Sequence, residues 1–198
     1  LLHQARRAVE AHRWAEAKNA LTLLVDRYPN SAGADSPWRL LAEAHRALGE
    51  SAEERAALER LAEIDGEAPD VYARLAELGR AAKDGPAVIR NARRYIAVNP
   101  LTPVPHRFLA EAAEQTGETR LAVRALHALL QLDPSNPSDL HFRLARQLWR
   151  AGDAGARREV LLALEETPRH RGALDLLFEM HQKAKSETAR STPLPSAP

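Results

Sequence analysis

The sequence predicts an all-α protein built from stacked helical hairpins, and three observations predict it. Landmark residues recur at a fixed period: Gly66, Pro100 and Pro134 are 34 apart, and so are Gly49, Lys83 and Gly117. Such a period is the signature of a repeat array. Apolar residues recur at helical spacing, and no run alternates strictly enough to suggest a strand. Finally, the chain is rich in Ala, Leu, Glu and Arg, all good helix formers, with aromatics at only 5%.

The elements follow in order. Residues 1–12 read as a first helix, with Arg13-Trp14 as its turn. The next helix, 15–28, points Leu21, Leu24 and Val25 inward. The loop from Pro29 to Asp35 is about three residues longer than the period needs, since Pro29 and Gly66 are 37 apart. Ser36 or Asp35 can cap the following helix, with Pro37 in its first turn. Helices are then expected at 37–48, 52–64, 70–82, 86–98, 104–116, 119–132, 138–151 and 154–166. Gly49, Asp84-Gly85, Gly117 and Gly152-Asp153 supply the turns inside hairpins. Pro86 fits a first helical turn, and Ser135-Asn136-Pro137 is a capped helix start. Residues 171–184 form a last amphipathic helix, with Ala173, Leu174, Leu177 and Phe178 inward and Asp175, Glu179 and Lys183 outward. It closes the array as a capping helix. Residues 186–198 hold Ser, Thr, Pro and Ala without core formers and are expected to be a disordered tail.

Each period carries the same pattern of large, apolar and small residues. Trp38, Leu41, Ala42 and His45 fill the opening slots of one unit, closed by Leu58 and Gly66. Tyr72, Leu75, Ala76 and Gly79 open the next, followed by Val88, Ala92 and Pro100. Then come His106, Leu109, Ala110 and Ala113, followed by Ala122, Leu126 and Pro134. His141, Leu144, Ala145 and Leu148 lead to Leu161 and Pro168. At the front, Leu1, Gln4, Ala5 and Ala8 precede Ala17, Leu21 and Pro29. Glu54 and Arg157 depart from the pattern by standing where a small residue is usual. The pattern resembles the tetratricopeptide repeat (TPR), and the resemblance implies a right-handed α-solenoid of about five repeats, at about 1–31, 35–68, 69–102, 103–136 and 137–169. With the capping helix the array spans 1–185.

Composition limits the function. Lys+Arg is 28 and Asp+Glu is 27, evenly divided along the chain, which is not a polyanion-binding footprint. There is no cysteine, so disulfides and thiolate metal sites are excluded. No apolar run approaches the ~20 residues of a membrane-spanning helix. The chain opens at Leu1 inside a helix without an N-cap and reads as a fragment, with any targeting signal upstream.

No catalytic constellation emerges. There is no HExxH pair, no Gly-rich phosphate loop and no nucleophile elbow. His45, His106 and His141 occupy packing slots, and Glu53-Glu54 and Glu165-Glu166 are expected on solvated faces. The expectation is therefore a non-enzyme without cofactor, metal or small-molecule substrate. Arg143, Arg146, Arg150, Arg157 and Arg158 cluster around Phe142 and Trp149, a mixture that can hold single-stranded nucleic acid. The balanced charge and the lack of a second patch argue against nucleic acid as a partner.

In the family that this chain resembles, the first helix of each repeat lines a concave groove. The resemblance places Arg39 and Glu43, Ala73 and Glu77, Arg107 and Glu111, and Phe142 and Arg146 in that groove. Each Arg–Glu pair four apart can neutralise itself. Glu43, Glu77 and Glu111 disfavour clamping of a carboxylate. Phe142, Arg146 and Trp149 share one helical face and are the expected partner-binding residues, with Arg39 and Arg107 beside them. The expected function is non-catalytic binding of a protein or peptide, or of another domain of a longer parent chain. An alternative comes from Arg94-Tyr95-Ile96-Ala97-Val98-Asn99-Pro100, which loosely resembles repeats in the C-terminal part of bacterial peptidase MA-like metallohydrolases. That resemblance implies an accessory region whose catalytic domain lies upstream.

Overall fold

The computed structural model describes residues 1–133 and 135–191, with side chains described through Ser186. The fold is all-α: eleven helices and no strand among the described residues. They are α1 (Leu2–Glu10), α2 (Trp14–Arg27), α3 (Pro37–Leu48), α4 (Ser51–Ile64), α5 (Pro69–Ala81) and α6 (Gly85–Val98). Then follow α7 (Pro103–Thr116), α8 (Thr119–Leu132), α9 (Pro137–Arg150), α10 (Ala156–Glu166) and α11 (Arg171–Ser191). The chain divides into two compact units, Leu1–Phe108 and the residues from Leu109 onward.

In the first unit α1 packs on α2, α3 on α4 and α5 on α6, and each hairpin also touches the helix that precedes or follows it. Its core runs through Ala5, Leu21, Leu41, Leu61, Val71 and Leu75. In the second unit α9 packs on α10, and α11 rests on both. Ala145, Val160, Ala163, Ala173, Leu176 and Met180 make that core. A lone hairpin cannot bury its apolar stripe, so stacking supplies the burial.

Five turns share one device. His12, Gly49, Lys83, Gly117 and Gly152 all have positive φ, between 55° and 79°. After each, the next backbone N–H donates to the carbonyl five residues back: Arg13 to Ala8, Glu50 to His45, Asp84 to Gly79, Glu118 to Ala113 and Asp153 to Leu148. This is the Schellman closure, which satisfies a helix-end carbonyl that would otherwise be orphaned. Three of the five positions are glycine; His12 and Lys83 take the left-handed conformation with a Cβ.

A second recurring link ties each opening helix to the loop before it. Trp38 Nε1 donates to the Pro29 carbonyl at 2.9 Å, Tyr72 Oη to Gly66 at 3.0 Å and His106 Nε2 to Pro100 at 2.9 Å. In these three repeats the large-residue slot combines bulk with a polar tip, which Trp, Tyr and His share. His141 departs from this: its Nδ1 meets the Glu159 carboxylate at 2.7 Å, across its own hairpin.

Several expectations are corrected. Glu54 is not solvated: it is 2% exposed in the small-residue slot. The Arg74 guanidinium takes both its oxygens, at 2.6 and 3.0 Å. The fifth repeat is read one residue out of register beyond its turn. Ala156 and Val160 are buried there, 34 residues after Ala122 and Leu126, while Arg157 and Leu161 are exposed. The cause is a turn one residue shorter between Gly152 and Ala156 than between Gly117 and Ala122. In α11 the buried stripe is Ala173, Leu176 and Met180, whereas Leu174 and Phe178 are exposed. The helix also runs to Ser191 rather than stopping at 184, because no proline intervenes before Pro193. The remainder of the expected tail, 192–198, and Pro134 lie outside the described residues.

Candidate functional site

The groove positions named by the resemblance carry cross-helix ion pairs. Arg39 of α3 hydrogen-bonds Asp70 of α5 rather than Glu43, which is exposed one turn away. Arg74 of α5 joins Glu54 of α4 and also takes Glu77 at 2.9 Å. The hydrogen bonds that Arg74 donates to Glu54 hold its pKa above the ordinary value against the opposing effect of burial. Arg107 lies exposed on α7. In the second unit Arg143 of α9 reaches Glu114 of α7 at 2.9 Å, and Arg146 approaches the same carboxylate at 4.0 Å. These bridges fix neighbouring helices and consume charge that an incoming chain could otherwise have met.

The expected contact residues of α9 are brought together on one side of the helix, but they are not equally available. Phe142 is half-buried under the start of α11. A Cβ added at Gly172 would sit 2.6 Å from its ring, so glycine is what lets α11 come this close. His170 lies 4.8 Å from the same ring, and the Arg146 guanidinium lies over it at 5.7 Å. Phe142 is thus packed against the start of α11. Arg146 keeps 40% of its side chain exposed. Trp149 is half-buried against the α9–α11 core, with the Lys183 ammonium 4.7 Å from its ring centroid.

Trp149 also opens onto a cavity of about 550 Å³ between α10 and α11. Leu161, Leu174, Leu177 and Phe178 form its apolar wall, and Arg157, His181 and Asp153 its polar rim. Leu161 is 49% exposed, Leu174 45% and Phe178 63%. The sequence-based reading missed this surface because it counted Leu174 and Phe178 as core. A visible signal existed: five large apolar residues within 174–180 make a wider arc than one packing neighbour can cover.

The basic cluster divides. Arg143 and Arg146 face Glu114, while Arg150, Arg157 and Arg158 are exposed. Among the described residues, no group of three His, Cys, Asp or Glu side chains is placed to hold a metal ion. No described helix is long and apolar enough to cross a membrane.

Comparison with known proteins agrees with this architecture. The sequence profile of the tetratricopeptide repeat matches residues 1–31. No curated protein sequence matches the chain significantly. Solved structures do match across most of its length. YrrB, described as a TPR protein with an unusual peptide-binding site, aligns with a TM-score of 0.62 at 13% identity, over 86% of this chain and 87% of its own. The MamA protein aligns at 0.61 and 16% identity, over 85% and 90%. MamA from Desulfovibrio magneticus RS-1 aligns at 0.56 and 15%, over 84% and 93%. The sequence likeness to the tetratricopeptide repeat thus covers residues 1–31, and the likeness of the rest of the chain to these proteins is one of fold.

Proposed function

We propose that this chain is a non-catalytic interaction module that binds a polypeptide, with its principal contact surface around Trp149. One observation carries the reading. A half-buried Trp stands between a partly exposed Arg146 and a cavity walled by three large exposed hydrophobic residues. Contiguous exposed apolar surface of this kind marks interaction sites, and Trp and Arg are the residues most enriched at binding hot spots. The peptide-binding description of YrrB supports the class of ligand. Arg39 and Arg107 are the secondary candidates, further toward the N-terminus, and Arg39 is partly committed to Asp70. The alternative of an accessory region to a metallohydrolase rests on the loose resemblance of residues 94–100 alone.

The test uses a displayed library of random peptides, roughly 14 residues long, enough for the two helical turns of anchor residues such ligands use. Peptides selected on the intact chain are expected to lose about 30-fold in affinity, or ~2 kcal/mol, on Trp149→Ala. A retained circular dichroism spectrum would show that the fold persists. Selected peptides that are indifferent to Trp149→Ala would refute the reading.

A further inference from the structure

We infer that the groove between α10 and α11 docks an amphipathic helix with acidic flanks, supplied by a partner protein. The inference rests on the interaction-module reading and specifies which side of Trp149 the ligand occupies and in what form.

The argument begins with the position of α11 in the repeat. α11 packs on α9 and α10 as an opening helix packs on the hairpin before it, just as α3 rests on α1 and α2. The opening helices α1, α3, α5 and α9 are each covered by their own second helix. Among the described residues α11 has none. Its buried stripe, Ala173, Leu176 and Met180, faces α9 and α10. Its second apolar arc, Leu174, Leu177 and Phe178, turns instead to the groove beside Leu161 of α10. The groove therefore occupies the place that the second helix of a sixth hairpin would take.

Its dimensions suit such a helix. The α11 wall runs from Leu174 to Ala184. At 1.5 Å per residue that is roughly 15 Å, or about three helical turns. Anchors at i, i+3 or i+4, and i+7 would meet Leu161, Leu174 and Phe178 as helix-in-groove ligands do.

Charge selects the occupant. Arg157 lines the groove, and Lys183 stands over Trp149 at its edge. The single acid in the lining, Asp153, already accepts the Gly155 N–H at 2.8 Å. Asp175 and Glu179 of α11 are exposed but do not line the groove. A helix carrying Glu or Asp beside its apolar stripe is therefore complementary. A second copy docked about a two-fold axis through the groove would set this basic edge against the same basic edge, a like-charge juxtaposition that interfaces avoid.

The test uses three synthetic peptides of roughly 14 residues, each with Leu at i, i+4 and i+7. One has Glu flanks, one has Lys flanks, and one has Glu flanks with a central Pro. Binding to the intact chain is followed by calorimetry and by the helicity that the peptide gains. The Glu-flanked peptide is expected to bind as a helix, and the other two at least about 10-fold more weakly. Phe178→Asp and, separately, Leu174→Ser are expected to weaken the Glu-flanked peptide by about 10-fold or more. Both replaced side chains are exposed, so melting should be little altered.

Equal binding of the Glu- and Lys-flanked peptides, or no binding of either, would overturn the inference. So would concentration-dependent dimerisation that Phe178→Asp abolishes, which would make the occupant a second copy. If ligands depend on Trp149 and Arg146 but ignore Phe178→Asp, they lie on the first-helix face. The inference then fails while the interaction-module reading stands. If ligands ignore Trp149 as well, both fail.

Discussion

Replacing Gln147 by leucine is expected to stabilise the protein. Gln147 is fully buried in α9, and neither its Nε2 nor its Oε1 has a hydrogen-bond partner in the protein. The equivalent residues of earlier repeats, Ala44, Leu78 and Ala112, are all apolar and buried. Leu78 shows that the slot accepts leucine. Each unpaired buried polar group costs about 1–3 kcal/mol, and this amide presents two. Gln and Leu are close in volume, so the change leaves little cavity. A shared buried water would return part of the cost, so the expected gain is about 1–3 kcal/mol. The assay is urea unfolding followed by far-ultraviolet circular dichroism. With an m-value of about 2–3 kcal/mol/M the midpoint should rise by about 0.3–1.5 M. Stacked repeats can lose cooperativity, so an unchanged m-value is part of the expected result. A midpoint that falls or stays put would show the amide to be satisfied and the reasoning wrong.

Three further outcomes are expected. Glu54→Ala should cost about 3 kcal/mol in the same unfolding assay, toward the low end for a broken buried pair, because Arg74 keeps Glu77 and some solvent. Lys83→Gly and His12→Gly should each stabilise by about 0.5–1 kcal/mol: relief of the left-handed conformation exceeds the entropy that glycine adds to the unfolded chain. The Glu50 carboxyl is held below its ordinary 4.5, first by the hydrogen bond from Lys18 and then by that from His45. Its contribution to stability should therefore be complete above about pH 4.5–5 and be lost as the pH falls through its folded value. The difference in midpoint between wild type and Glu50→Gln, followed against pH, checks this; a difference that grows on acidification would contradict it.

Much of the fold could be read before the structure because its punctuation is local. Gly49, Gly117 and Gly152 mark turns whose geometry demands positive φ, and Pro37, Pro86 and Pro137 mark helix starts. The same turn at His12 and Lys83 bears no such mark, and only the period reveals Lys83. What escaped the reading depended on distant partners. Glu54 looks solvated until Arg74, twenty residues on, is placed over it. Arg39 looks paired to Glu43 until Asp70 arrives from the next hairpin. A turn shortened by one residue moved the inner face of α10 from Leu161 to Val160, and that slip hid one wall of the candidate groove. The other wall was hidden because Leu174 and Phe178 lie on an apolar arc that sequence alone assigns to a core.

The links from the opening helices to their preceding loops bear on the order in which synthesis can secure the array. Trp38, Tyr72 and His106 reach carbonyls only nine, six and six residues back. Contacts this short in sequence cost little loop-closure entropy. On a chain emerging from its N-terminus, each of these connections can be fastened as soon as its own helix has formed. The fifth opening helix must wait. His141 finds its partner in Glu159, eighteen residues downstream, so this link of α9 closes only after α10 has been made. The interval leaves the α9–α10 hairpin, which carries Trp149 and one wall of the candidate groove, to be locked in place after the hairpins before it.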